Sequence, residues 1–227
     1  MPEQLTFDLP VRTASAREDF FVSSANEIAV ARLDDTVHWN LGKLALIGPA
    51  GSGKTHLLHV WAEAENALVI TPDELQTLDI AAVDQPVAFD IGGATALLSD
   101  EAETALFHLH NHLAQRGHAF LVAARTSPAR WSVRLPDLKS RLEAMDVTRI
   151  EAPDDLLLSA VYVKLFTDRQ LKIQPDLIPW LLKNNDRSFD SAQSFVAALD
   201  AASLSENRAI TKRFARQTLD KWSKDGR

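Results

Sequence analysis

The chain has 227 residues, 46% of them hydrophobic and 24% charged, which gives room for an α/β domain plus a small appendage in an ordinary soluble globular protein. No apolar stretch approaches the roughly 20 residues of a membrane span, and the start MPEQLTFDLP is not a basic-then-apolar leader, so a cytoplasmic protein is expected. Cysteine is absent, which rules out disulfides and thiol chemistry, and the net charge of −7 divides as −9 over residues 1–153 and +2 over residues 154–227. Neither part is the strongly basic surface that tight duplex DNA binding needs.

In chain order, residues 1–18 read as a flexible polar tail with a small apolar cluster at Leu5, Phe7 and Leu9. Asn26 to Leu33 has helical spacing. Leu44 to Ile47 is a buried strand ended by Gly48, and Lys54 to Ala64 a helix with Leu57, Leu58 and Trp61 on one face. Ala67 to Ile70 and Val87 to Phe89 are two more buried strands. Ser99 or Asp100 caps a long helix that runs to Arg116, and Gly117 ends it. Ala119 to Ala123 is the fourth strand, Pro136 to Glu143 a short helix, and Val147 to Ile150 the fifth strand. After Pro153 the character changes. Asp154 to Thr167, Pro175 to Lys183, Phe189 to Leu204 and Ile210 to Trp222 are four amphipathic helices with no further strand. Alternating short strands and helices predict a parallel five-stranded sheet flanked by helices. A small all-helical lid follows it. The expected division is a tail over 1–18, an α/β nucleotide-binding domain over 19–153 and a helical lid over 154–227.

Gly48-Pro49-Ala50-Gly51-Ser52-Gly53-Lys54-Thr55 fits G-x-x-x-x-G-K-[ST] and sits between a strand and a helix. Glycines let the backbone curl so that its N–H groups face phosphate oxygens. Lys54 supplies a cation, Thr55 a hydroxyl for Mg²⁺, and the helix its positive end. A glycine-rich turn that merely caps a helix is the alternative. Asp90 ends PVAFD, where an acid of the Mg²⁺ shell is expected. The alternative there is a surface aspartate at a strand end. Ile91, Gly92 and Gly93 follow it, so no second acid stands beside Asp90 to orient a water. Weak intrinsic ATPase activity is expected.

GPAGSGKTHLLHVW, which runs through His56, resembles the AAA+ domain of the replication initiator DnaA, as does the upstream FFVSSAN. The resemblance implies adenine packing at Phe21 and Val22 and a bound ADP or ATP. LPDLKSRL resembles the stretch with the family's arginine finger, which implies a trans-acting role for Arg141; its alternative role is an ion pair with Glu143 or Asp137. LDAASLSENRAITKRFARQTL resembles the end of the small helical domain. No residues follow for the duplex-binding helix-turn-helix domain of DnaA, so the chain is most similar to the Hda family of short DnaA homologues. That similarity implies binding to the DNA polymerase sliding clamp and stimulation of ATP hydrolysis by DnaA. Gln4, Leu5, Phe7, Leu9 and Pro10 resemble the clamp-binding peptide, whose apolar side chains can enter a groove while the glutamine bonds at its edge. The competing reading is an autonomous AAA+ ATPase that loads or remodels a replication factor. Self-association is compatible with AAA+ geometry.

Two positions depart from the pattern. Where DnaA has a polar sensor after the fourth strand, this chain reads Ala123-Ala124-Arg125-Thr126. Arg187 is the candidate for the lid sensor arginine, although an ungapped alignment places Asp190 there. His108, His110 and His112 form HLHNH, which reads as a packed helix rather than a metal site. The tryptophans are expected in the core or between lid and base. Lys212, Arg213 and Arg216 are expected to form a solvated face.

Overall fold

The computed structural model describes residues 21–92 and 99–222. The tail peptide with Gln4, Leu5, Phe7, Leu9 and Pro10 lies outside them. Five strands, β1 (Lys43–Ile47), β2 (Leu68–Ile70), β3 (Val87–Asp90), β4 (Phe120–Ala124) and β5 (Asp146–Arg149), form one parallel sheet in the order β2-β3-β4-β1-β5. The number of strands and their direction follow the sequence pattern. Their order comes from tertiary pairing, which puts β1 between β4 and β5.

Alternation along β1 assigns its two faces. Ala45 and Ile47 join the core on one side with Leu106, Leu109, Phe120, Leu138 and Leu142. Leu44 and Leu46 join the other side with Val30, Leu33, Leu57, Leu58 and Trp61. The first face is covered by α3 (Pro72–Thr77), α4 (Asp100–Arg116) and α5 (Pro136–Glu143), and the second by α1 (Glu27–Asp34) and α2 (Lys54–Ala64). The short helix α3 was not expected. Thr71 opens it with a reciprocal capping box to Glu74, followed by Pro72. The caps of α4 are those expected, with the Ser99 hydroxyl accepting from the Ala102 amide and Gly117 at φ +71. On the α1–α2 face, the rings of Trp39 and Trp61 stack with centroids 5.3 Å apart, and the Trp39 indole N–H donates to the Arg32 carbonyl at 2.7 Å.

Four helices form the C-terminal lid: α6 (Asp155–Asp168), α7 (Leu177–Asn184), α8 (Phe189–Glu206) and α9 (Lys212–Trp222). They start one to two residues later than expected, except α8, which begins at Phe189 as read. Their own core comprises Tyr162, Phe166, Leu181, Phe195, Leu199 and Phe214. Trp180 and Trp222 pack against this lid core. The expected solvated face on α9 includes Lys212, which pairs with Asp176 at 3.7 Å. No helix among the described residues is long and apolar enough to cross a membrane.

Candidate functional site

The loop from Gly48 to Gly53 leaves the carboxyl end of β1 and enters α2 at Lys54. Gly48 is anchored to β4 by its amide, which donates to the Ala124 carbonyl at 3.3 Å. A Cβ at Gly48 would lie 2.4 Å from the Ile150 carbonyl oxygen, so the strand end tolerates only glycine there. Gly51 and Gly53 have φ of +65 and +91, values that an L side chain resists. Inside the curl the Pro49 carbonyl accepts both from the Ser52 hydroxyl at 2.9 Å and from Lys54 Nζ at 2.7 Å. Ala50 and Gly51 form the turn of the curl, and His56 stands in the first turn of α2.

Asp90, at the end of β3, faces this loop. Its Oδ2 accepts from the Thr55 hydroxyl at 2.6 Å, and its Oδ1 from the Gly92 amide at 2.8 Å. The two expected Mg²⁺ ligands are thus adjacent. Lys54 is buried, which pushes its ammonium below the ordinary lysine range; Asp90 and Asp190 act in the opposite sense, and Arg125 adds to the lowering. The acid from α8 and the cation following β4 therefore lie within electrostatic reach of the loop lysine. Arg125 directly follows a strand on the loop's edge of the sheet, and that was its signal in the sequence.

The lid touches the loop directly. The Phe189 amide donates to the Gly51 carbonyl at 2.9 Å. A Cβ at Gly51 would meet the Ser188 Cβ at 2.3 Å, and one at Gly53 would meet the Phe189 ring at 2.8 Å. The turn that brings Ser188 here is held by Asn185, buried between helices. Its amide donates to the Tyr162 hydroxyl at 2.9 Å, and its carbonyl oxygen accepts from the Ser191 hydroxyl at 2.9 Å. Sequence reading did not single out Ser188 or Phe189, because nothing local ties them to a loop about 140 residues earlier.

The remaining expected residues lie in three places. Phe21 and Val22 are exposed, and the Phe21 carbonyl accepts from the Asn26 side-chain amide at 2.9 Å. This segment runs beside the loop's neighbour, since the Ala25 carbonyl accepts from the Glu151 amide. Arg187 is turned to Asp155, with Nη1 to Oδ1 at 2.7 Å. Arg141 is on α5 and makes no ion pair with Asp137, Glu143 or any other described acid. Its guanidinium carbon lies 5.2 Å from the centroid of the Phe107 ring. In HLHNH, His112 Nε2 is 2.7 Å from the Val83 carbonyl oxygen, His108 meets the Phe107 ring edge-on, and His110 is buried without a hydrogen-bond partner for either ring nitrogen.

The fold compares closely with domain III of the Thermotoga maritima replication initiation protein DnaA, with a TM-score of 0.79 and 18% identity over 94% of this chain and 98% of that one. Residues 165–219 match the family model of the Hda lid domain. The C-terminal part thus resembles the Hda lid domain, and the chain as a whole has the AAA+ fold of DnaA domain III. AMPPCP-bound DnaA from Aquifex aeolicus gives a TM-score of 0.64 at 18% identity, over 79% of this chain and 63% of that one. The Thermotoga maritima RuvB Holliday junction branch migration motor gives 0.63 at 18% identity, over 86% and 68%. By sequence, an uncharacterized protein of Haemophilus influenzae is 27% identical over 183 residues, covering 76% of this chain and 79% of the relative. The family match is confined to the lid, and the likeness to DnaA is one of fold.

Proposed function

We propose that this Hda-like chain is a nucleotide-binding regulator of replication initiation that binds the sliding clamp through its N-terminal peptide and stimulates ATP hydrolysis by DnaA. The observation that carries the reading is Arg141. It is an exposed guanidinium on a DnaA-type fold, paired with no described acid and so available to phosphate charge across a subunit contact. The residues of the loop fit an adenine nucleotide. Gly48 to Gly53 would supply the amide cradle, Lys54 the cation, Thr55 and Asp90 the Mg²⁺ shell, and Phe21 and Val22 the packing for the base. Both oxygens of Asp90 are already engaged and no second acid stands beside it, which supports a nucleotide held as a clasp between base and lid rather than turned over rapidly. The base domain over 19–153 would carry this site, and the lid over 154–227 would close on it.

The test is phosphate release from ATP-bound DnaA in the presence of clamp on DNA. The intact chain should stimulate release and retain the clamp in a pull-down. Arg141→Ala should keep the clamp and lose stimulation, whereas Gln4→Ala with Leu5→Ala should lose both. An intact chain that binds no clamp and leaves DnaA unchanged would sink the proposal.

A further inference from the structure

Arg141 is held in an unusual way for an exposed arginine. Among the described residues its guanidinium has no carboxylate or carbonyl partner. The group it rests on is the ring of Phe107, from the middle of the neighbouring helix α4, at 5.2 Å. Phe107 is itself half-buried, packed against the core of that face, and its ring meets His108 edge-on with centroids 5.9 Å apart. Lys43, fully buried at the start of β1, donates from Nζ to the Leu41 carbonyl at 3.3 Å. Its ammonium is pushed down by burial and then by Arg141, and His110 senses both cations.

We infer that Phe107 is a positioning residue for Arg141: its ring face holds the guanidinium in place while leaving its charge and its N–H donors available to a phosphate on a partner. The physical distinction is from an ion pair. A carboxylate would neutralise the arginine and occupy its donors, and an incoming phosphate would have to displace it. An aromatic face attracts the cation and restrains its plane without consuming a donor. Such preorganisation matters most where charge develops in a transition state, because no partner must be broken at that moment. The inference rests on the proposed trans-acting role of Arg141.

The experiment is single-turnover phosphate release from ATP-bound DnaA with clamp on DNA, using the full chain and five variants. Phe107→Leu should lower the rate about three- to tenfold. The concentration giving half-maximal rate and the clamp pull-down should stay at the intact chain's values. Phe107→Tyr keeps a ring face and should behave as the intact chain. Phe107→Leu combined with Arg141→Ala should be no slower than Arg141→Ala alone, because the ring acts only through the arginine. Phe107→Met serves the same purpose should the leucine variant melt early. The positioning role is overturned if removing the ring leaves the rate unchanged while Arg141→Ala abolishes stimulation. It is equally overturned if the double variant is slower than Arg141→Ala. If Arg141→Ala is itself silent, the trans-acting reading fails first, and the role of Phe107 with it.

Discussion

The amide of Phe189, the first residue of lid helix α8, donates to the carbonyl of Gly51 in the glycine-rich loop at 2.9 Å. That bond and the close approach of Ser188 to Gly51 make lid position and loop conformation parts of one structure. The contact has direct consequences for substitution.

Gly51→Ala should be destabilising twice over. The residue sits at φ +65, and the new methyl would meet the Ser188 Cβ at 2.3 Å. A loss of about 2–3 kcal/mol is expected, read as a lowered melting temperature and weakened nucleotide binding. Adding Ser188→Gly should recover the steric part. Gly92→Ala is the control: it has a similar φ of +61 but nothing within 4 Å of the added carbon. Equal effects at Gly51 and Gly92 would show that the lid contact contributes nothing.

Asp190 places a carboxylate from the lid within electrostatic reach of Lys54. A negative charge there opposes each added phosphate charge. Asp190→Arg should therefore shift the ratio of ATP to ADP affinity towards ATP by about tenfold. Asp190→Asn should shift it less and in the same direction. Titration of each variant with both nucleotides reads this directly, and an unchanged ratio would remove Asp190 from the account.

Glu103 is a buried carboxylate in α4 that accepts from the Arg134 amide at 3.0 and 3.1 Å and from the Leu135 amide at 3.0 Å. It thereby ties down the entry to α5, the helix that carries Arg141. Glu103→Ala leaves these amides without their charged acceptor and should cost about 2–3 kcal/mol in denaturant unfolding. Glu103→Gln, which keeps one acceptor oxygen, should cost less. A neutral result for the alanine variant would mean that other groups cap α5.

His110 has its pKa lowered from 6.5 to about 4, by burial first and then by the nearby charges of Lys43 and Arg141. Above 6.5 both folded and unfolded chains carry it neutral and it gives no pH dependence. As pH falls from 6.5 towards 4 the unfolded chain takes up a proton that the folded chain refuses. Stability then drops by at most about 1.4 kcal/mol per pH unit from this residue. Stability of His110→Phe against the unmodified chain should therefore show a gain that grows through this window and levels off below it. A difference independent of pH would mean that His110 protonates alike in both states.

Much of the candidate site was legible because its parts are contiguous or lie at fixed points of local structure. The loop GPAGSGKT carries its chemistry in one run, Asp90 ends a strand, and Ser99 and Gly117 bound a helix by rules that need no tertiary knowledge. The lid helices were legible from periodicity, with errors of one or two residues where Pro175 and Ile210 stand before the first turn rather than in it. Helix α3 was overlooked because a six-residue helix has too few apolar positions to show a period, although its Thr71–Glu74 capping box was present to be read. The partner of Arg187 could not be read from the sequence: the fold pairs it with Asp155, more than thirty positions earlier.

By itself the sequence determined the alternation of strands and helices, the glycine-rich loop with its lysine and threonine between a strand and a helix, and the change to an all-helical C-terminal part. Each is encoded within a few residues, by backbone freedom at glycine, by side-chain periodicity or by a helix cap. Only the tertiary structure decided which strand lies beside which, that Ser188 and Phe189 close on Gly51 and Gly53, that Asp190 and Arg125 flank Lys54, and that Arg141 rests on Phe107 rather than on an acid. These relationships join residues tens to more than a hundred positions apart. They are set by packing the two sheet faces and the lid core against one another, and no local pattern records the outcome of that packing.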